Sequence, residues 1–365
     1  MGIECGIVGL PNVGKSTLFN TLTAAGVPAE NFPFCTVDPH RGVVNVPDRR
    51  IDQLSVIVKP ERVVPALMTF VDIAGLVKGA SDGEGLGNQF LSHIREVNAI
   101  AHVVRCFEDD NIIHVMGGVD PKRDIEIIEL ELCLSDLETA KKRFDRVEKL
   151  ARSGNAEAKA EADAMKLIMD GLGKGIPVRR IPGAKEKLSQ DTFLTSKPVL
   201  YVANIAEGDV KEMSAQTKKW IAAVEEAAKL DQTIVIPLSV SLESQLRAME
   251  PADREVFQAE YGINEPALDR FIRDAYRLLG LQTYFTAGVK EVRAWTIPVV
   301  CSAPDAAGVI HSDFKRGFIR AETIAFRDYI QLQGEKGARE KGLMRSEGKE
   351  YQVQDGDVIL FRFGV

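Results

Sequence analysis

Short apolar runs recur along the first 240 residues, and each has the length of a buried strand. They cover residues 3–8, 66–71, 100–107, 197–203 and 233–238. Continuous runs of this kind are typical of strands covered on both faces of a sheet. Because a helical stretch follows the first run at residues 16–23, the pattern predicts an α/β domain with a doubly wound sheet.

Two other regions show different periodicities. Residues 125–150 carry an approximate three–four apolar stripe among many charges, and residues 155–172 are rich in Ala, Glu and Lys. Together they predict a helical hairpin or short coiled coil inserted as an arm. From residue 283 onward, short strand-like runs alternate with turns, which predicts a compact α+β module. The predicted domains are a discontinuous α/β domain (1–122 and 196–278), the arm (123–195) and a C-terminal domain (279–365).

The composition limits the classes of protein to consider. The chain has 365 residues, 45% hydrophobic and 27% charged, with a formal net charge of −7. This charge opposes a global attraction to nucleic acid, although a local basic patch is compatible with it. No apolar run approaches the roughly 20 residues that span a bilayer. The first strand starts at once, and the five cysteines show no C-x-x-C spacing, so we expect a cytoplasmic protein without a disulfide framework or zinc site.

The motif with the clearest chemistry is Gly9-Leu10-Pro11-Asn12-Val13-Gly14-Lys15-Ser16. It fits G-x-x-x-x-G-K-[ST], the phosphate-binding loop, between a strand and a helix. We expect the backbone of Asn12, Val13, Gly14, Lys15, Ser16 and Thr17 to hold the phosphates at the helix N-terminus. Lys15 is expected to act in catalysis at the β- and γ-phosphates, and the Ser16 hydroxyl to bind Mg²⁺.

Two further motifs match the switch regions of such proteins. Thr36 lies in a loop about 20 residues beyond the phosphate-binding loop, so we expect it to complete the Mg²⁺ shell. Asp72-Ile73-Ala74-Gly75 follows a strand and fits D-x-x-G. Asp72 is expected to bind Mg²⁺ through water, and the Gly75 N–H to contact the γ-phosphate.

The residue after Gly75 is Leu76, where Ras-like hydrolases place the glutamine that orients the attacking water. A leucine cannot do this, so either hydrolysis is slow or another group replaces the glutamine. Among the histidines, His114 follows the strand at 100–107 and therefore belongs to the sheet edge where ligands bind. An ordinary surface-loop histidine is the alternative interpretation.

The base-recognition segment departs from the GTPase pattern. After the strand at 197–203 comes Asn204-Ile205-Ala206-Glu207, where GTPases have N-K-x-D. The aspartate of that motif accepts hydrogen bonds from guanine N1 and its 2-amino group. Without that Lys and Asp we expect ATP to bind at least as well as GTP. Ser239, after the last strand, is predicted to lie where a second loop contacts the base.

The segment between residues 171 and 190 contains five basic residues. They are Lys174, Arg179, Arg180, Lys185 and Lys187. A protruding basic arm tip at 174–187 is one interpretation, and it suits contact with ribosomal RNA phosphates. A solvated connector is the other.

With these motifs the chain resembles the YchF-type Obg-like ATPases over essentially its whole length. The resemblance rests on residues 9–16, 31–36, 72–87 and 204–207, together with a C-terminal region similar to a TGS domain. It implies a β-grasp fold for that region, Mg²⁺-dependent ATP hydrolysis, and association with ribosomes, chiefly the large (50S) subunit or the 70S particle. It also implies hydrolysis without the glutamine, with His114 as its replacement, and backbone contacts from Ile205 to adenine. Asn12 resembles an asparagine that binds K⁺ in some related NTPases.

Three functional hypotheses remain open from the sequence. The first is an ATPase that works as a ribosome-associated switch. The second is a nucleotide-sensing, ribosome-binding module whose turnover is incidental, which Leu76 favours. The third is a GTP-specific Obg-like GTPase, in which the backbone near Ile205 and Ser239 compensates for the missing aspartate.

Overall fold

The computed structural model describes residues 3–24, 40–73, 86–184 and 193–364. The chain divides into two compact units, one formed by residues 1–44 and 69–271 and the other by 45–68 and 272–365. The strands of the described chain are β1 Glu4–Val8, β2 Arg41–Asn45, β3 Arg62–Val64, β4 Leu67–Asp72, β5 Ala99–Cys106, β6 Val199–Ile205, β7 Val235–Leu238, β8 Leu281–Ala287, β9 Glu291–Pro298, β10 Phe318–Ile324, β11 Arg345–Glu347 and β12 Val358–Phe363.

Thirteen α-helices accompany these strands in the described part of the chain. They are α1 Lys15–Ala24, α2 Arg49–Val58, α3 Leu86–Glu96, α4 Pro121–Arg152, α5 Ala156–Gly173, α6 Ala215–Asp231, α7 Val240–Ala248, α8 Pro251–Tyr261, α9 Ala267–Leu278, α10 Ala303–Ile310, α11 Ser312–Arg316, α12 Phe326–Gln331 and α13 Glu335–Glu340. Among the described residues, no helix is both long and apolar enough to cross a membrane.

The first unit is built on a six-stranded sheet with the order β2-β4-β1-β5-β6-β7. β1 pairs in parallel with β4 and β5, β5 with β6, and β6 with β7. Every position of β5 and β6 is buried, which explains why their sequences are continuous apolar runs. The predicted doubly wound α/β domain is confirmed. Its parallel strands bring the ends of β1, β4, β5 and β6 to one edge of the sheet, where ligands bind in such folds.

The predicted helical hairpin is also present. α4 has 32 residues and is therefore about 48 Å long, and α5 packs back along it. The turn between the two helices ends at Asn155, whose side chain accepts a hydrogen bond from the Ala158 N–H as an N-cap. The tip of the hairpin is therefore at residues 153–155.

The basic segment does not form the tip, which corrects one of the two predictions made for residues 174–187. Arg179 and Arg180 are largely shielded from solvent at the base of the arm, where both guanidiniums bind Glu129 of α4 and Asp231 at the end of α6. Their sequence looks like an exposed basic run because the two acids that neutralise them lie about 50 residues away on either side. Lys174 is exposed, and Lys185 and Lys187 lie outside the described residues.

The second unit is a mixed sheet with helices. Its six strands have the order β11-β10-β12-β8-β9-β3, in which β8 and β9 are antiparallel and β10 is antiparallel to β11 and β12. α10 packs against β9 and β10, and its small side chains Ala303, Ala306 and Ala307 join Tyr284 and Phe361 in the core. The predicted C-terminal α+β domain is thus observed.

One boundary differs from the predicted assignment of residues 1–122 to the nucleotide-binding domain. The structure places residues 45–68 in the second unit. β3 pairs in parallel with β9, with Arg62 opposite Glu291, and α2 packs on β8 and β9. A helix and a short strand between two motifs of a nucleotide-binding domain carry no local signal that they belong to a sheet formed more than 200 residues later.

Candidate functional site

The phosphate-binding loop connects β1 to α1 in a conformation that its sequence permits. Gly14 has a φ of 100°, and a Cβ added there would lie 2.5 Å from the side-chain nitrogen of Asn204. Glycine is therefore required both for the backbone angle and for the close approach. Asn12 also has a positive φ of 64°, which asparagine tolerates better than most residues.

Asn204 ties the phosphate-binding loop to the base-recognition region. Its Nδ2 donates to the Val13 carbonyl oxygen (2.9 Å), and its Oδ1 accepts from the Val240 N–H at the start of α7 (3.1 Å). Because Asn204 is buried, both hydrogen bonds are shielded from water. The side chain predicted to bind nucleotide therefore also holds two walls of the site together.

Lys15 and Asp72 lie close enough to interact electrostatically. Burial lowers the pKa of the Lys15 ammonium, and the Asp72 carboxylate opposes this shift. Lys15 is 8% exposed, at the first position of α1. The predicted phosphate-binding lysine and the predicted Mg²⁺-binding aspartate thus lie in the same part of the site.

The donor set at this point fits Mg²⁺. Asp72 Oδ1 is buried and has no hydrogen-bond partner among the described residues. A buried carboxylate oxygen left unpaired is costly unless a cation or ordered water satisfies it. Ser16 is exposed at the first turn of α1 and supplies the hydroxyl oxygen that Mg²⁺ accepts as a ligand. Thr36 and Gly75 lie outside the described residues, so their roles remain predictions.

A cavity of about 870 Å³ lies beside the phosphate-binding loop, which is large enough for a nucleotide. Four segments line it: the phosphate-binding loop (Asn12, Gly14, Thr17), the loop after β5 (Phe107, Glu108, Asp109, Ile112), residues 204–207, and residues from Ser239 to Ala248. Val13 is 1% exposed and can offer a ligand only its backbone. The structure therefore brings Asn12, Gly14, Thr17, Asn204, Ile205 and Ser239 of the predicted site together around one cavity.

Two of the residues near the base-recognition region have structural roles of their own. Ser239 caps α7, since its hydroxyl accepts a hydrogen bond from the Leu242 N–H (3.4 Å). Glu207, in the position of the GTPase aspartate, accepts a hydrogen bond from Gln245 Nε2 (2.8 Å). The carboxylate at this position is thus already bound to α7.

His114 is buried and held on both sides. Its Nδ1 accepts a hydrogen bond from the Met116 N–H (3.1 Å), so Nε2 carries the proton and donates to Asp124 Oδ2 (2.8 Å). With both ring nitrogens engaged, neither can orient a water molecule in this conformation. A role in hydrolysis requires that the bond to Asp124 break.

The sequence reasoning missed two links between the loop after β5 and the rest of the site. Asn12 Nδ2 donates to the Ile113 carbonyl oxygen (3.1 Å), which joins the phosphate-binding loop to the segment that carries His114. Arg105, near the end of β5, is buried and donates to carbonyl oxygens of the same loop. An arginine inside the otherwise apolar run 99–106 was the available signal.

Comparisons with known proteins agree with this geometry. A family model described as "50S ribosome-binding GTPase" matches residues 4–142, and the YchF-GTPase C-terminal model, described as "Protein of unknown function (DUF933)", matches residues 281–364. The chain is 54% identical over 368 aligned positions to the "Ribosome-binding ATPase YchF" of Escherichia coli O157:H7 and 51% identical to that of Bacillus subtilis (strain 168), with 100% of both proteins covered in each case.

A solved structure gives the same result for the fold. The Schizosaccharomyces pombe YchF GTPase matches with a TM-score of 0.87 and 38% sequence identity, over 99% of this chain and 98% of that one. Full-length identity above one half, the matching family models and the shared fold together show that the chain belongs to the YchF family of P-loop NTPases.

Proposed function

We propose that this protein is a Mg²⁺-dependent ATPase that binds the ribosome and changes that association with its nucleotide state. The observation that carries the choice of ATP is the base-recognition segment 204–207, which lacks the GTPase lysine and aspartate. Glu207, at the aspartate position, lines the cavity, and one of its carboxylate oxygens already accepts a hydrogen bond from Gln245. The relatives at 54% and 51% identity are named ribosome-binding ATPases, which supports the same assignment.

The residues of the site divide the chemistry between them. Lys15 and the N–H groups of residues 12–17 stabilise negative charge on the phosphates. Ser16, Thr36 and Asp72 hold Mg²⁺, which neutralises charge developing on the β- and γ-phosphate oxygens. The Gly75 N–H contacts the γ-phosphate, and the Ile205 backbone contacts adenine.

Calorimetric titration of nucleotide-free protein with ATP and with GTP, both with Mg²⁺, tests the base preference. We expect ATP to bind as tightly as GTP or tighter. A tenfold preference for GTP, about 1.4 kcal/mol, would support the alternative of an Obg-like GTPase. Lys15→Ala serves as the control, because it should weaken both nucleotides together.

The engagement of His114 favours a second candidate function, a nucleotide-sensing module with incidental turnover. Leu76 replaces the usual glutamine, and both nitrogens of His114 are occupied. Pelleting with 50S subunits and 70S ribosomes in ATP, in ADP and without nucleotide separates the two candidates. Binding that changes with nucleotide supports the switch, whereas equal binding in all three conditions supports a scaffold.

Potassium is a further proposal for the same site. Asn12 uses its amide nitrogen to bind Ile113, which leaves its side-chain oxygen as an acceptor for a cation. If K⁺ binds there, ATP turnover should be faster in KCl than in NaCl at equal ionic strength, and Asn12→Ala should remove the difference. Equal rates in the two salts would exclude a K⁺ requirement.

We propose that the second unit makes the contact with ribosomal RNA, and the distribution of charge supports this proposal. Its residues (45–68 and 272–365) include 18 Lys and Arg against 15 Asp and Glu, a net charge of +3, whereas the first unit has 28 against 38, a net charge of −10. Such an asymmetry between regions is typical of proteins that meet nucleic acid on one side.

Within the second unit, a cavity of about 540 Å³ concentrates positive charge. It is lined by Arg49, Arg50, Arg273 and Arg277, together with Asp48 and Asp355. Both carboxylates bind Arg50. Arg277 is 74% exposed, and Arg49 is exposed with no ion pair to any residue in the described ranges.

A double charge reversal tests this assignment. Arg49→Glu with Arg277→Glu should weaken binding to 50S subunits at least tenfold and reduce its salt dependence, because phosphate contacts are lost. Lys218→Glu with Lys219→Glu, on exposed positions of α6, gives the same change in net charge and should leave binding intact. Equal loss in both double variants would show that only the net charge matters.

A further inference from the structure

Arg105 occupies an unusual position for a charged residue. It is the seventh of eight residues in β5, it is 2% exposed, and it is one of the largest fully buried side chains. Its strand neighbours are apolar, apart from His102. A buried guanidinium is costly unless its N–H groups are satisfied, so its contacts explain why it is there.

The Arg105 guanidinium is bound to one loop. Nε donates to the Phe107 carbonyl oxygen (3.1 Å), Nη1 to that of Ile112 (2.9 Å), and Nη2 points at that of Asp109 (3.5 Å). Its Cζ lies 4.5 Å from the centroid of the Phe107 ring, in a cation–π arrangement. The fork of the guanidinium therefore spans the loop at three points, which a lysine ammonium cannot reproduce.

The residues held in this way form a wall of the nucleotide cavity. Phe107, Asp109 and Ile112 all line it, as do residues 204–207 at the end of the neighbouring strand β6. In the sheet, Arg105 is paired with Asn204 of β6, so the residue that fixes one wall lies beside the residue that fixes the other. The next residue of the loop, Ile113, is bound by Asn12 of the phosphate-binding loop.

We propose that Arg105 is a positioning residue for nucleotide binding, which sets the 107–112 loop as the wall of the cavity beside the base-recognition segment. This inference rests on the proposed nucleotide site and adds a determinant of its affinity. Because this loop adjoins the base-recognition segment 204–207, and ATP and ADP share the same base, its position affects both nucleotides alike. Loss of Arg105 therefore weakens the binding of both nucleotides by the same factor.

Calorimetric titration with MgATP and MgADP tests this, since it measures the dissociation constant and the fraction of active protein separately. For Arg105→Met we expect both dissociation constants to rise at least tenfold, with an unchanged ratio between them. Arg105→Lys should give intermediate values, because the ammonium retains the charge and one or two of the hydrogen bonds. A merely structural role would lower the active fraction and the melting temperature and leave the dissociation constants unchanged, which would overturn the proposal.

Arg123 offers a matched control. It also donates to backbone carbonyl oxygens of the segment between β5 and α4, those of Gly118 (2.6 Å) and Met116 (3.4 Å). These two residues lie beyond the 107–112 loop and do not line the cavity. Arg123→Met should leave both dissociation constants unchanged. If Arg105→Met does not fold, the titration of Arg105→Lys tests the proposal by itself. Dissociation constants equal to those of the wild type in Arg105→Lys would then overturn the proposal. A weakening confined to ATP would also overturn it, because the loop would then act at the γ-phosphate.

Hydrogen exchange gives a second measurement. The amides of residues 107–113 should exchange faster in Arg105→Lys than in the wild type, while those of β5 and β6 remain protected. A wild-type protein that binds neither ATP nor GTP would contradict the proposed function itself, whereas a wild type that binds ATP and an Arg105 variant that binds it equally well would contradict only this inference.

Discussion

Two pairs of adjacent arginines, Arg49-Arg50 and Arg179-Arg180, look alike in the sequence and differ in the structure. The side chains of the second pair are largely shielded, 8% and 15% exposed, and each binds Glu129 and Asp231. In the first pair only Arg50 is held, whereas Arg49 is exposed. The difference lies in the acids that the fold supplies, so a basic run indicates a binding surface only where distant parts of the chain leave it uncompensated.

The shielded pair also depends on its neighbours. Tyr201 on β6 donates its hydroxyl to Asp231 (2.7 Å). Although burial alone would raise the pKa of Asp231, hydrogen bonds from Arg180 and Arg179 lower it to about 2. The cluster joins the base of the arm to the sheet of the same unit. In it, the charges of two arginines are neutralised by those of two carboxylates.

The largest expected effect comes from breaking this balance. Asp231→Ala leaves two shielded guanidiniums with one carboxylate, so we expect the free energy of unfolding to fall by about 3–5 kcal/mol, as for other broken buried ion pairs. Urea unfolding followed by circular dichroism measures it. Glu148→Ala, which removes the partner of the exposed Arg152, should cost less than about 1 kcal/mol. Similar losses in the two variants would show that burial does not distinguish these pairs.

A smaller effect should appear in the pH dependence of stability. Burial, with a smaller contribution from the charge of Arg179, lowers the pKa of His102 to about 3, and the Asp231 carboxylate opposes this shift only in part. The unfolded state, with a histidine pKa of about 6.5, therefore binds this proton more readily than the folded state. The stabilisation is complete above about pH 6.5 and is lost as the pH falls towards 3, at up to about 1.4 kcal/mol per pH unit.

His102→Phe tests this contribution, since a phenyl ring keeps the contact with Tyr201. Between pH 6.5 and 4.5, the wild type should lose about 2–3 kcal/mol more of its free energy of unfolding than the variant. Denaturant titrations at both pH values give the comparison. Identical pH dependence in the two proteins would mean that His102 does not titrate on unfolding in this range.

The smallest expected effect separates the two members of the exposed pair. Arg50→Met removes hydrogen bonds to Asp48 and Asp355 and the contact with Phe285, so we expect a loss of about 1–2 kcal/mol in stability. Arg49→Met should change stability by less than about 0.5 kcal/mol and should instead weaken ribosome binding. Thermal unfolding and 50S pelleting of both variants check this, and a destabilised Arg49→Met would contradict the difference drawn between them.

The contrast between local features and partners supplied by distant parts of the chain also explains which parts of the site could be predicted. Phosphate binding depends on a short contiguous segment, so the spacing of Gly9, Gly14, Lys15 and Ser16 was sufficient to place it at the end of β1. Asp72 was predictable for the same reason, since a motif at a strand end fixes its position at the sheet edge. The engagement of His114 with Asp124, and of Glu207 with Gln245, involves side-chain pairs that no local pattern reports.

By itself, the sequence determined the α/β class of the first unit, the helical hairpin and the phosphate-binding loop. These follow from periodicity and local backbone preferences, which act over a few residues. Only the tertiary structure decided that residues 45–68 belong to the second unit, that Arg179 and Arg180 are largely shielded, and that Arg105 holds the wall of the cavity. Each of these depends on strand pairing, or on charges and carbonyl groups whose positions are set by the packing of the whole unit.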